Sequence, residues 1–181
     1  SFNGAVYIFY GGVTSGSAAS RYNVRLTGDS ADDYFGSSVS GAGDINGDGK
    51  DDVIVGADGD DDGGSSSGSA FIFYGGVTSG AATTKADVKL TGDSASDHFG
   101  YSVSGAGDMN GDGKDDVIVG ADEDDDGGSY SGSAFIFYSG ATSGAATAKA
   151  DVKLTGNSAS DYFGISVSGA GDMNGDGLDD V

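Results

Sequence analysis

The chain has 181 residues, 36% of them hydrophobic, which is enough for a folded core, so disorder is not the default expectation. Its formal charge of -21, with 8 Lys and Arg against 29 Asp and Glu, excludes nucleic acid and membrane insertion as modes of partnering, because clustered basic side chains or a long apolar span are missing. With 36 Gly, no Pro, Cys or Trp, and Glu123 as the single Glu, the composition asks for tight turns and short-armed oxygen ligands, and a divalent cation is the complementary partner.

The chain repeats itself with a period of 64 residues: 1–64 is repeat one, 65–128 repeat two, and 129–181 a shortened repeat three, all three belonging to one propeller or repeat array. Residues 65–117 and 129–181 share 45 identities in 53 positions, so each repeat must fold into nearly the same unit in nearly the same surroundings. Within a repeat the pattern predicts four short strands and no helix. The first covers 5–10, 70–74 and 134–138, aromatic and β-branched throughout, and a Gly/Ser/Thr/Ala loop follows. The second covers 23–27 and 87–91, where Val and Leu alternate with a charged residue, as in a half-buried strand. The third is predicted over 34–41, 99–105 and 163–169, and the fourth over 53–56, a β-branched run that reads as buried. Four antiparallel strands per repeat make an all-β fold of β-propeller blades.

Between the third and fourth strands lies the loop Asp44-Ile45-Asn46-Gly47-Asp48-Gly49-Lys50-Asp51-Asp52, with copies starting at Asp108 and Asp172. Oxygen-bearing side chains at positions 1, 3, 5 and 9 (Asp44, Asn46, Asp48, Asp52; Asp108, Asn110, Asp112, Asp116; Asp172, Asn174, Asp176, Asp180) can point hard oxygens into one turn. The position-7 carbonyls of Lys50, Lys114 and Leu178 would add another, and Gly49 at position 6 permits the reversal. The expected ion is Ca2+, about one per repeat, with a structural role. An EF-hand is excluded because position 12 is Val55 rather than Glu and no helix flanks the loop. Asp51, Asp115 and Asp179 at position 8 are expected to face solvent or bond the turn backbone. A second acidic turn at 58–64 and 122–128 reads first as a solvated loop and second as a weaker cation site.

Laid out this way, the chain resembles the FG-GAP repeat of integrin α-subunit propellers. The residues that carry the resemblance are Phe35-Gly36 with Gly41 to Asp44 and Asp52 to Ala57, then Phe99-Gly100 through Ala121, then Phe163-Gly164 to Val181. Where the family has the last residue of its Gly-Ala-Pro cage, this chain has Asp58 or Asp122. The resemblance implies that the loop joins the first two strands of a blade. The chain would then begin at the third strand of one blade, stop at the second strand of another, and cover about 2.8 blades of an incomplete propeller or of a larger one.

Catalytic parts are missing: no Cys, a single His, and no Gly-x-Ser-x-Gly. His98 fills the slot of Tyr34 and Tyr162 and reads as a packing or rim aromatic. Tyr7, Tyr10, Tyr74, Tyr101, Tyr130 and Tyr138 could stack on sugars, although packing is the stronger reading for those inside strands. The expectation is a non-enzymatic, extracellular, calcium-stabilised scaffold or adhesion protein. Its partners would be calcium, other copies of itself or the rest of a larger propeller, and a protein or glycan ligand. The alternatives are a carbohydrate-binding propeller module or the accessory propeller of a larger enzyme. Weak calcium loops fill only near millimolar calcium, which places the chain outside the cell, and any export signal has been removed or lies outside this sequence.

Overall fold

The computed structural model describes residues 3–12 and 14–181; Ser1, the first residue of repeat one, lies outside the described residues. The elements in chain order are β1 (Ala5–Ile8), α1 (Ala18–Arg21), β2 (Val24–Thr27), β3 (Val39–Gly43), β4 (Asp52–Ala57), β5 (Ser69–Phe73), β6 (Gly80–Ala81), α2 (Ala82–Lys85), β7 (Val88–Thr91), β8 (Ser102–Gly107), β9 (Asp116–Ala121), β10 (Ser133–Phe137), β11 (Gly144–Ala145), α3 (Ala146–Lys149) and β12 (Val152–Thr155). The fold is all-β, with antiparallel sheets and no closed barrel among the described residues, as an incomplete propeller requires.

Each blade straddles two repeats. Strands β3, β4, β5 and β7 form one antiparallel sheet and β8, β9, β10 and β12 the next, so the inner two strands of a blade come from one repeat and its outer two from the following one. Strands β1 and β2 pair as an outer half-blade. In repeat three, residues 163–181 carry only isolated bridges, Gly132 to Phe163 and Gly171 to Asp180, and the predicted third strand is not formed there. The strand that would clamp it from outside, the counterpart of β5 and β10, is not part of the described chain.

Both faces of a blade are covered, which is why its central strands read as continuous apolar runs rather than alternating ones. All five residues of β5 and of β10 are buried. From β4 and β5, Ile54, Ala70 and Ile72 pack toward the following blade with Phe99, Val103, Val119 and Phe135, while Val55, Phe71 and Phe73 pack back on Val6, Val24 and Leu26. The Phe of each FG pair is the key of this packing. Phe35 meets Phe71 and Phe73 edge-on at 5.5 and 6.3 Å, and Phe99 meets Phe135 and Phe137 at 5.3 and 6.1 Å. Phe163 has no such pair among the described residues and is 43% exposed.

Two features depart from the expectation of strands and loops alone. The Gly/Ser/Thr/Ala loop contains one-turn helices α1, α2 and α3, closed for example by the Ala86 N–H donating to the Ala82 carbonyl at 2.8 Å. The short, alanine-rich segment makes a single turn cheap, and burial of Ala82 and Ala146 holds it. Just before α2 and α3, β6 and β11 run parallel to the outer strands β2 and β7 of the preceding blade. They cover backbone groups that an edge strand would otherwise present.

Candidate metal loops

The first two nonapeptide loops join the first two strands of a blade, β3 to β4 and β8 to β9, and the third is closed by the single bridge from Gly171 to Asp180. Positions 1, 3 and 5 turn inward in all three copies. In loop one, Asp44 Oδ1 accepts the N–H groups of Gly47 (2.8 Å) and Asp48 (3.0 Å), and its Oδ2 accepts that of Gly49 (2.8 Å). Asn46 Oδ1 accepts the Asp48 N–H at 2.7 Å, and Asp48 Oδ1 accepts the Lys50 N–H at 3.0 Å. Loop two repeats every bond, with Asp108 on Gly111, Asp112 and Gly113, Asn110 on Asp112, and Asp112 on Lys114. Loop three does so through Asp172, Asn174 and Asp176, the last accepting from Leu178. Gly49 sits at φ +84°, the left-handed region expected of the position-6 reversal.

Position 9 is used differently from the other three. Asp52 is 1% exposed; its Oδ2 accepts the Ile45 N–H at 3.0 Å and its Oδ1 the Gly75 N–H at 2.7 Å, tying the loop base to the turn after β5. Asp116 makes the matching bonds to Met109 and Ser139, and Asp180 the one to Met173. Burial pushes the Asp52 and Asp116 carboxyls above their ordinary range, against the lowering effect of these N–H donors. Asp48 and Asp112 are held low, Asp48 first by the Lys50 ammonium at 3.2 Å and Asp112 first by the Ser139 hydroxyl at 2.7 Å; Asp172 is held low by the Gly177 and Gly175 N–H groups.

The three loops are linked across repeats by position 8. Asp115 Oδ2 accepts the Asp44 N–H at 2.7 Å, and Asp179 Oδ2 accepts the Asp108 N–H at 2.8 Å. The expectation of solvent or turn backbone is met in kind, but the turn belongs to the preceding repeat. Gly43 makes the approach possible: a Cβ there would lie 2.1 Å from Asp115 Oδ2. Covering by the next blade also grades the exposure of position 2, from Ile45 at 2% to Met173 at 76%.

The donor set is entirely hard oxygen, in the order that calcium takes. Among the described residues no three His, Cys, Asp or Glu side chains converge into a ready-made metal group. Asp44, Asp108 and Asp172 each use both lone pairs of Oδ1 on two N–H donors, but their Oδ2 atoms and the bonded oxygens of the Asn and Asp at positions 3 and 5 each keep one lone pair beyond that of their N–H partner, so the residues fit the ion chemically.

Residues 35–73 and 99–137 match the family model of the FG-GAP repeat. The chain carries FG-GAP repeats. Each matched stretch runs from the buried Phe of the FG pair, through the loop, to the end of the outer strand on which that Phe packs. The chain is also 37% identical over 121 residues to rat (Rattus norvegicus) integrin alpha-7, covering 65% of this chain and 10% of the relative. It is 34% identical over 122 residues to human (Homo sapiens) integrin alpha-6, covering 65% and 9%. The chain therefore spans about a tenth of the length of these relatives.

The second acidic turn of each FG-GAP repeat has a cation that sequence reading missed. Lys89 on β7 reaches Asp60 (3.0 Å) and Asp62, and Lys153 on β12 reaches Asp124 (2.9 Å) and Asp126 (2.6 Å). Both ammonium groups also lie over a buried ring, Phe71 at 4.9 Å and Phe135 at 4.8 Å. Burial works to lower the two lysines, and the hydrogen bonds to their Asp partners outweigh it, so both are raised. The signal lies 27 residues downstream in a strand of the next repeat, at the charged position that alternates with Val88 and Leu90.

His98 is a rim residue as expected, at φ 54°, with its Nδ1 3.9 Å from Glu123. Repeat one has Tyr34 and Gly59 at these places; a Cβ on Gly59 would lie 2.7 Å from the Tyr34 ring, so the smaller imidazole makes room for Glu123. The tyrosines divide. Tyr74 and Tyr138 pack against the cores and Tyr7 tilts on Tyr22 at 5.4 Å, while Tyr10 and Tyr101 are exposed and Tyr130 stacks on Tyr162 at 5.9 Å.

Proposed function

We propose that this chain is part of an extracellular, calcium-stabilised β-propeller that serves as an adhesion or structural scaffold, without enzymatic activity of its own. The observation that carries the reading is the loop geometry: three copies of the same inward-turned Asp, Asn and Asp, over a position-9 Asp that is buried in the first two. Asp44, Asn46, Asp48 and Asp52, with the Lys50 carbonyl, would hold one ion; Asp108, Asn110, Asp112, Asp116 and Lys114 a second; Asp172, Asn174, Asp176, Asp180 and Leu178 a third. Calcium would neutralise the inward carboxylates and brace the turn.

Three ions would bring the charge from -21 to about -15, easing self-repulsion. With a dissociation constant of about 10 μM in about 1 mM calcium, each site would stabilise the fold by roughly 2.7 kcal/mol. The likeness to two integrin alpha chains supports the extracellular and adhesive part of the reading, and the one-residue-per-repeat links from Asp115 and Asp179 support growth by stacking further repeats. These would come from a longer chain or from other copies.

The test is near-UV circular dichroism with sedimentation velocity, in about 2 mM calcium and then in excess chelator. Loss of the tertiary signal on chelation is expected. An ordered chain indifferent to chelator would overturn the calcium reading and return the loops to hydrogen-bonded turns. Saturable quenching of tyrosine fluorescence by one sugar would instead favour the glycan-binding reading, with exposed Tyr10 and Tyr101 as the faces.

A further inference from the structure

The far ends of β4 and β9 carry two carboxylates that the described residues leave partly unsatisfied. Asp58 follows Ala57 and Asp122 follows Ala121, and the Oδ1 atom of each is buried without a hydrogen-bond partner. Asp122 is 6% exposed. Every other acid of the first turn is engaged: Asp60 and Asp62 by Lys89, and Asp61 by the Ser66 N–H at 2.7 Å. The same holds in the second, where Lys153 takes Asp124 and Asp126, and the Tyr130 N–H takes Asp125. An unpaired buried carboxylate oxygen is costly, and native folds leave very few.

The two acids stand in neighbouring blades, close enough to repel each other. The charged groups around Asp122 are Asp58, Glu123 and His98, so two of its three neighbours are anionic. Burial is the first cause that drives its carboxyl above the ordinary range. The third neighbour, His98, is drawn 3.9 Å from Glu123. A water molecule could fill a gap here but would leave the like charges uncompensated.

We propose that Asp58 and Asp122 jointly hold a hard divalent cation, calcium or magnesium, between the two blades, with water completing its shell. Two carboxylates plus retained water is an arrangement that such ions accept. The site lies at the opposite end of β4 from the FG-GAP loop, about 20 Å away by the rise of a six-residue strand, and is independent of it. It also gives a reason for Asp at a position where the family resemblance calls for Pro: the ion would brace the turn that the ring otherwise stiffens.

His98 makes the test clean, because it is the single histidine of the chain. Mn2+ titrated into the chelator-stripped full chain should broaden the His98 imidazole proton resonances beyond detection, far more than Mn2+ held only in the loops about 20 Å away, since paramagnetic relaxation falls as the inverse sixth power of distance. In the variant Asp58→Asn with Asp122→Asn the broadening should fall to the weak level that loop-bound Mn2+ produces, and equilibrium dialysis against calcium or magnesium should find one ion fewer per chain. Thermal midpoints provide a second reading. Without cation the variant should melt higher than the parent, because repulsion is gone; with cation that advantage should vanish. If the variant does not fold, the Mn2+ experiment on the parent alone decides. His98 resonances that are only weakly broadened and stay resolved would overturn the site, as would an unchanged ion count or an advantage that is the same with and without cation. Those last outcomes are what a shared proton or a buried water would produce.

Discussion

The contact between Asp115 and the loop of the preceding repeat can be weighed against an internal control. Asp115→Ala removes a charged acceptor from the Asp44 N–H, a half-buried bond of 2.7 Å. Hydrogen bonds to charged groups contribute about 1.5–3 kcal/mol, and a donor left unsatisfied loses its full desolvation cost. Against this, the variant also relieves repulsion between Asp115 and the Asp44 carboxylate, worth under about 1 kcal/mol at a solvated edge. The net expectation is a loss of about 2 kcal/mol. Asp51 holds the same place in repeat one and makes no such bond among the described residues, so Asp51→Ala should cost less than about 0.5 kcal/mol. Asp115→Asn keeps an acceptor and should recover much of the loss. Equilibrium urea unfolding in chelator measures all three, with equal m-values as the condition for comparing them. Equal losses for Asp51→Ala and Asp115→Ala would refute the reasoning, because the effect would then be general to position 8 rather than due to the link between repeats.

Three further outcomes follow from the packing and the charges. Phe99→Ala should cost about 3–5 kcal/mol and Phe163→Ala under about 1, since Phe99 is buried against Phe135 and Phe137 while Phe163 is 43% exposed; thermal melts separate them. Lys89→Met should lose about 3 kcal/mol by stranding buried Asp60, and adding Asp60→Asn should return most of it, as a double-mutant cycle would read. Burial, then repulsion from Asp60 for Asp33 and from Asp124 for Asp97, pushes both carboxyls up to about 6. The folded chain therefore keeps protons that the unfolded chain releases near pH 4, and stability attributable to these two groups falls as pH rises from about 4 to about 6. Asp97→Asn should match the parent near pH 4 and exceed it by up to about 3 kcal/mol at pH 7; a constant difference across that range would remove the assignment.

Much of this molecule could be read from its residues. The 64-residue period, the all-β content and the loop positions need only local pattern, because turn chemistry and β-branched runs act within a few residues. The inward turn of Asp44, Asn46 and Asp48 is local too: each bonds N–H groups no more than five residues on. The one-turn helices escape the pattern because four residues, such as Ala-Thr-Thr-Lys at 82–85, carry no usable period.

What sequence alone determined is thus the unit and its count: a short motif repeats because the local physics of its turns and strands repeats. Tertiary structure alone decided how the units share their parts. It gave Asp52 to a turn 23 residues away, handed Asp115 to the loop before it, and supplied Lys89 as the counter-ion of Asp60. The reason is physical. A carboxylate in a sequence shows that an acceptor exists; which donor reaches it depends on which backbone the sheets bring within 3 Å, and that is settled only when neighbouring blades close on a shared core.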